Sequence, residues 1–129
     1  MNPDIRIRVP GKPVSVNSMY ANNARGGKRL TLAALAWESI TCYKAREVTH
    51  KFRWAIKNGL ITLPLRVTCR FYGTRKNADA DNLLKSTLDG LKQGLDIDDK
   101  YFHSVTAIKD SGQYTDGAVI EIWASEAQG

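Results

Sequence analysis

The stretch Leu65-Arg-Val-Thr-Cys-Arg-Phe-Tyr72 alternates without a break, with Leu65, Val67, Cys69 and Phe71 on one side and Arg66, Thr68, Arg70 and Tyr72 on the other. A period of two over eight residues, rich in β-branched and aromatic side chains, predicts a strand with one face in a core. A few residues later the period changes. Leu84, Leu88, Leu91 and Leu95 recur at helical spacing and predict a helix from about Ala80 to Gln93. Two further strands are expected near Tyr101–Lys109 and Ala118–Trp123. A fourth lies upstream, where Ile5, Ile7 and Val9 alternate with Arg6 and Arg8 until Pro10 ends the run. Strands and helices that intermix in this way predict an α+β (mixed α/β) class. The expected architecture is one domain over residues 1–129, with a small mixed sheet of about four strands and two main helices.

The first helix is expected after Thr31, a good N-cap, with an apolar stripe of Leu32, Leu35, Ala36, Ser39, Ile40 and Tyr43. The pattern drifts on through Val48, Phe52 and Ile56 to a stop at Asn58-Gly59, and does not decide between one helix and two. Gly11 to Arg29 shows no period and reads as a long irregular loop carrying the run Arg25-Gly-Gly-Lys-Arg29.

A chain of 129 residues can bury one core. Its longest apolar run, Leu30 to Trp37, falls far short of the roughly 20 residues a membrane span needs. The N-terminal residues lack the apolar segment of a signal peptide, and Cys42 and Cys69 make no CxxC, so a cytoplasmic location with both thiols reduced is expected. The net charge is +6, unevenly placed. Residues 1–60 hold eleven Lys and Arg against three acids, whereas residues 61–129 hold eight against ten. A basic half beside an acid-bearing half suits a protein that attracts a polyanion and sets carboxylates against it. His50 and His103 have no partner at ligand spacing, and no P-loop, GxSxG or GxGxxG occurs, which argues against zinc, nucleotide and triad chemistry. Trp37, Trp54 and Trp123 fall in apolar patterns and are expected in the core.

The chemistry is concentrated in Asn77-Ala-Asp79-Ala-Asp81-Asn82-Leu-Leu-Lys85-Ser-Thr-Leu-Asp89, followed by Asp96-Ile-Asp98-Asp99. Asp79 and Asp81 stand at a helix mouth, and Lys85 follows one turn on. Two carboxylates from one element and one from another form the usual oxygen cage of Mg²⁺, an ion that activates water and stabilises charge on a phosphoryl oxygen. A lysine one turn away suits transition-state charge. The same residues also admit a plainer reading. Asp79 caps the helix, Asp81, Lys85 and Asp89 make i,i+4 pairs worth about 0.2–0.5 kcal/mol each, and Asp96 to Asp99 is a solvated turn. On spacing alone both readings stay open. Arg25, Lys28 and Arg29 in their glycine-bearing loop are candidates for gripping phosphates.

The motif Asp79-x-Asp81-Asn82-Leu83-x-Lys85, with Asp89-x-Leu91 and then Asp98-Asp99, resembles the RusA family of Holliday-junction resolvases. Weaker points of likeness are Pro13 and Asn17-x-x-Tyr20 after the first strand, and Lys109 at the end of the strand after the acidic pair. The resemblance implies a homodimeric, Mg²⁺-dependent endodeoxyribonuclease of DNA recombination and repair, with Mn²⁺ as a substitute ion. It would resolve four-way junctions by paired symmetric nicks that leave 5′-phosphate and 3′-hydroxyl ends. It makes Asp79, Asp81 and Asp99 the metal carboxylates, Asp98 a supporting acid and Lys85 the catalytic lysine. Arg75 and Lys76 join Arg25, Lys28 and Arg29 as candidate DNA contacts. Rival expectations are a nuclease for flaps or other branched DNA, and a basic DNA-binding protein without catalysis.

Overall fold

A computed structural model describes residues 3–73, 79–110 and 116–124, apart from the side chain of Asp99. Four strands make the main sheet: β1 (Ile5–Pro10), β4 (Leu65–Tyr72), β5 (Phe102–Lys109) and β6 (Gly117–Ala124). A small hairpin adds β2 (Tyr20–Asn22) and β3 (Lys28–Leu30), and the two helices are α1 (Leu32–Lys57) and α2 (Leu84–Leu95). The sheet order is β1-β6-β4-β5, with β6 antiparallel to both its neighbours and β4 parallel to β5. The mixed α+β sheet expected from the sequence is therefore present. A parallel pair needs a crossover, and α2 supplies it.

Register explains the sheet's two faces. Val67, Cys69 and Phe71 of β4 lie beside Ile122, Ile120 and Ala118 of β6, which in turn meet Ile5, Ile7 and Val9 of β1. All nine are buried, and with Trp37, Phe52, Leu91 and Leu95 they form the core. The opposite face carries Arg6, Arg66, Arg70, Glu121 and Trp123. There the Glu121 carboxylate accepts hydrogen bonds from Arg6 at 3.0 Å and Arg70 at 2.9 Å, and the Arg66 guanidinium lies 5.3 Å from the Trp123 ring centroid. Cys42 and Cys69 are free thiols, and burial pushes the Cys69 thiol up to about 12.

Residues 32–57 form one helix, capped as expected by Thr31, whose hydroxyl accepts from the Ala34 N–H at 3.2 Å. The expected stripe is corrected. Leu32 is 81% exposed and Tyr43 61%, and Leu35, Ala36 and Ser39 are also exposed; only Ile40 is partly covered. The buried face is Ala34, Trp37, Glu38, Thr41, Ala45, Phe52 and Ala55. The reason is the neighbour. α1 and α2 run side by side in the same direction, and a Cβ on Gly94 would stand 2.4 Å from the Ala45 Cβ. Opposite Gly90 and Gly94 the helices leave room only for small residues such as Thr41 and Ala45, so at those two points size overrides hydrophobicity, while Trp37 and Phe52 of the same helix reach the core. Trp37 Nε1 donates to Thr87 Oγ1 at 2.9 Å and Thr49 Oγ1 to the Gly94 carbonyl at 2.7 Å, tying the pair along its length.

Two further expectations change. Trp54 is exposed and Trp123 half-buried, leaving Trp37 as the one fully cored tryptophan of the three. The stretch from Gly11 to Arg29 is not structureless, since it holds a 3-10 turn (Val16–Ser18) and the β2–β3 hairpin. Gly26 and Gly27, both at positive φ, turn that hairpin, and the Gly27 carbonyl accepts from the Asn23 N–H at 3.0 Å. Among the described residues no helix is long and apolar enough to cross a membrane.

Candidate active site

β4 delivers the chain to Asp79, whose backbone is extended (φ −78°, ψ 135°), and a 3-10 turn over Ala80–Leu83 then leads into α2. The geometry does not bear out the capping reading of Asp79. It occupies the N-cap position of that turn, yet its side chain makes no capping hydrogen bond. Only the backbone closes the turn, through Asn82 N–H to the Asp79 carbonyl at 3.1 Å. Asp81, in the same turn, is exposed like Asp79, and neither carboxylate makes an ion pair with a described residue within 4.0 Å. Lys85 pairs forward with Asp89 Oδ2 at 3.6 Å rather than back with Asp81, and the other Asp89 oxygen takes Lys92 at 3.6 Å. The i,i+4 reading is thus present for Lys85 and Asp89, and absent for Asp81.

The basic hairpin stands at this same end. Met19 is fully buried and its carbonyl accepts from the Thr31 N–H at 2.8 Å, while the Thr31 hydroxyl donates to the Ser18 carbonyl at 2.8 Å. These bonds fix the hairpin to the start of α1. The turn Val16–Ser18 packs on both the Ala80–Leu83 turn and α2, and Ser86 Oγ donates to the Val14 carbonyl at 2.8 Å. Arg25, Lys28 and Arg29 are all exposed on this mount. Arg75 and Lys76 lie outside the described residues.

Asp98 and Asp99 are elsewhere. They follow α2, and its 12 residues at about 1.5 Å each put about 18 Å of helix between the two acidic groups. Asp96 ends α2 in the left-handed region (φ 56°) and its carboxylate takes the Arg53 guanidinium at 2.7 Å, closing α2 onto α1. Asp98 is exposed in an open groove of about 580 Å³ with Lys92, Asp96, Lys100 and Tyr101. The Asp99 side chain is outside the description. Among the described residues no three His, Cys, Asp or Glu side chains come together as a metal group. Asp79 and Asp81 have the chemistry that suits a hard divalent cation, as exposed carboxylates that cap nothing and pair with no described residue.

One residue escaped the sequence reading. Glu38 of α1 is only 8% exposed, and its Oε2 has no hydrogen-bond partner among the described residues. Burial raises its carboxyl above the ordinary value, the charge of Asp89 raises it further, and Lys85 opposes both. The available signal was its place as the sole charged residue between Leu32 and Tyr43.

No curated protein sequence matches the chain at a significant level. Residues 10–123, from the end of β1 to the penultimate residue of β6, match the family model described as endodeoxyribonuclease RusA.

Proposed function

The chain belongs to the RusA family of endodeoxyribonucleases, and from that premise we propose that it resolves four-way DNA junctions by paired, metal-assisted nicks. The observation that carries the site assignment is Asp79: an aspartate at an N-cap that caps nothing, exposed beside Asp81, with a lysine one turn on. A purely structural aspartate there would spend its oxygens on the free N–H groups of the turn.

In this reading Asp79 and Asp81 offer oxygens to Mg²⁺, or to Mn²⁺ in its place. When bound, such an ion supplies Lewis acidity toward the phosphoryl oxygen and a water of lowered pKa. Lys85 offsets negative charge that grows at the scissile phosphate. Arg25, Lys28 and Arg29, with Arg75 and Lys76, hold the flanking backbone, and water attack in line leaves 5′-phosphate and 3′-hydroxyl ends. The third carboxylate is the point at which a partner enters. With about 18 Å of helix between Asp81 and the Asp98-Asp99 turn, one chain does not close the cage, whereas a two-fold dimer can bring that turn of one copy to Asp79 and Asp81 of the other. The same symmetry sets two sites on two opposed strands of a junction.

Cleavage of a mobile four-way junction, a flap and a linear duplex, each with Mg²⁺ and Mn²⁺, tests the proposal. Paired symmetric nicks confined to the junction are expected. Lys85→Ala should still shift the junction in a gel while cutting it about 10²–10³-fold more slowly at saturating enzyme. Equal cutting of the flap would replace the substrate assignment. Native-rate cleavage by Lys85→Ala would remove the role of Lys85.

A further inference from the structure

Every buried polar atom in a folded protein calls for a partner, and Glu38 Oε2 has none among the described residues. Its surroundings make this more than a packing defect. Glu38 sits at one of the two close contacts between α1 and α2: a Cβ on Gly90 would lie 2.8 Å from the Glu38 carbonyl oxygen and 2.8 Å from the Thr41 Cβ. The residues a turn away on α1 are Ala34, Leu35, Thr41 and Cys42, none of them charged. The charged groups that act on it come from α2: Asp89 and, behind it, Lys85. Asp89 is itself divided, one oxygen toward Lys85 and the other toward Lys92, each at 3.6 Å. A single carboxylate shared by two flexible ammonium groups at that distance fixes neither of them firmly.

We propose that Glu38 is a positioning residue for the lysine of this nuclease: wedged between α1 and α2, it adds a rigid second carboxyl behind Asp89 and so holds the Lys85 ammonium over the first turn of α2. The inference rests on the functional reading of Lys85 given above. Rigidity is what Glu38 brings. Asp89 keeps about a quarter of its side chain in solvent, whereas Glu38, 8% exposed beside a helix crossing, has little room to turn. The arrangement works against the fold, because a carboxylate with an unpartnered oxygen is costly to bury. A residue that weakens the fold while serving the site leaves a signature opposite to that of a structural residue.

Glu38→Gln keeps the shape and removes the charge. It is expected to raise the thermal midpoint at pH 7 and leave junction affinity within about twofold, while slowing cleavage at saturating enzyme by roughly tenfold. In the metal-free protein at fixed pH, the Lys85 ¹³Cε and ¹⁵Nζ resonances should move, and those of an exposed lysine such as Lys57 should not. Glu38→Asp, which withdraws the carboxylate by one methylene, should fall between Gln and the native residue in both rate and resonance position. If Glu38→Gln fails to fold, Glu38→Asp decides by the same two readings. A native cleavage rate with unmoved Lys85 resonances overturns the inference, as does a loss of stability that the rate merely follows. The resonances report on Lys85 without any cleavage, so a dead Lys85→Ala beside a silent Glu38→Gln rejects only the inference. A native-rate Lys85→Ala rejects instead the reading on which it rests.

Discussion

Substituting Gly94 by Ala should destabilise this protein, although Ala is the better helix former. Removing a glycine from a helix interior ordinarily contributes about 1 kcal/mol of stability. Here the added Cβ would stand 2.4 Å from the Ala45 Cβ, 2.6 Å from the Cys42 carbonyl oxygen and 3.2 Å from the Cys42 Cα. Carbon atoms in ordinary contact sit about 3.5–4.0 Å apart, so α1 and α2 must part by about 1 Å or more. Neither obstacle is a side chain that can rotate aside: one is a methyl fixed to the backbone, the other backbone itself. The separation also strains the Thr49 bond to the Gly94 carbonyl, which is 2.7 Å long, at a cost of about 1 kcal/mol. Overpacking of this kind costs about 1–3 kcal/mol, leaving a net loss near 2 kcal/mol once the propensity gain is subtracted. Urea denaturation should show a lower midpoint at unchanged slope, and heating a midpoint lower by about 8 °C. Gly90→Ala, whose Cβ would meet its neighbours at 2.8 Å, should lose less. A Gly94→Ala protein as stable as the native one would refute the close helix crossing, and with it the enclosure of Glu38.

On the open face of the sheet, burial acts to raise the Glu121 carboxyl, but the hydrogen bonds from Arg70 and Arg6 outweigh it and hold the group below its ordinary value of 4.5. The stability it contributes is therefore complete above the ordinary carboxylate range and lost as pH falls through the depressed value; Glu121→Gln should flatten the acid limb of a stability–pH curve, and an unchanged limb would contradict the assignment. Replacing Arg25, Lys28 and Arg29 together should weaken junction binding and shallow the slope of log K against log salt by about one unit for each phosphate no longer neutralised. Asp81→Asn, at an exposed site with no ion pair to a described residue, should leave the metal-free fold intact and abolish any rise in thermal midpoint on adding Mg²⁺; unfolding by this change would give Asp81 a structural role instead.

Much of this was legible in the chain and some was not, for identifiable reasons. β4 and β6 alternate because one face of each meets the helices, so their period survives in sequence. α1 was legible as a helix through Thr31 and Asn58-Gly59, but not by its buried face. Leu32, Leu35 and Tyr43 point outward, while Thr41 and Ala45 pack against Gly90 and Gly94 of a helix some 50 residues away. Only the partner explains that choice. The β2–β3 hairpin escaped because three-residue strands carry no period, although Gly26-Gly27 marks the turn. Asp79 and Asp81 were expected at a helix mouth, and the Ala80–Leu83 turn leading into α2 is where they lie. The helix between Asp81 and Asp98 was expected, and its length already separates the two acidic groups; the chain alone does not say whether a second copy closes that gap. Glu38 went unnoticed because one acid in an apolar segment resembles a solvated face until a second helix covers it.

The sheet order also has a consequence for how the protein is made. β6 is the last of the described strands in chain order and the one on which the sheet depends, since among them it alone bonds β1 to β4. Until Gly117–Ala124 emerge, β1 has no partner in the main sheet, and the apolar side chains Ile5, Ile7 and Val9 wait for a neighbour more than a hundred residues downstream. At about 5–20 residues per second the ribosome takes several seconds or more to supply it. During that interval the nascent chain can hold α1, α2 and the β4–β5 pair, but offers two unmatched edges to any passing strand. A ribosome that stalls or stops short of residue 117 therefore releases a molecule with its middle missing rather than its end, and such a fragment is a natural client for chaperones and proteases.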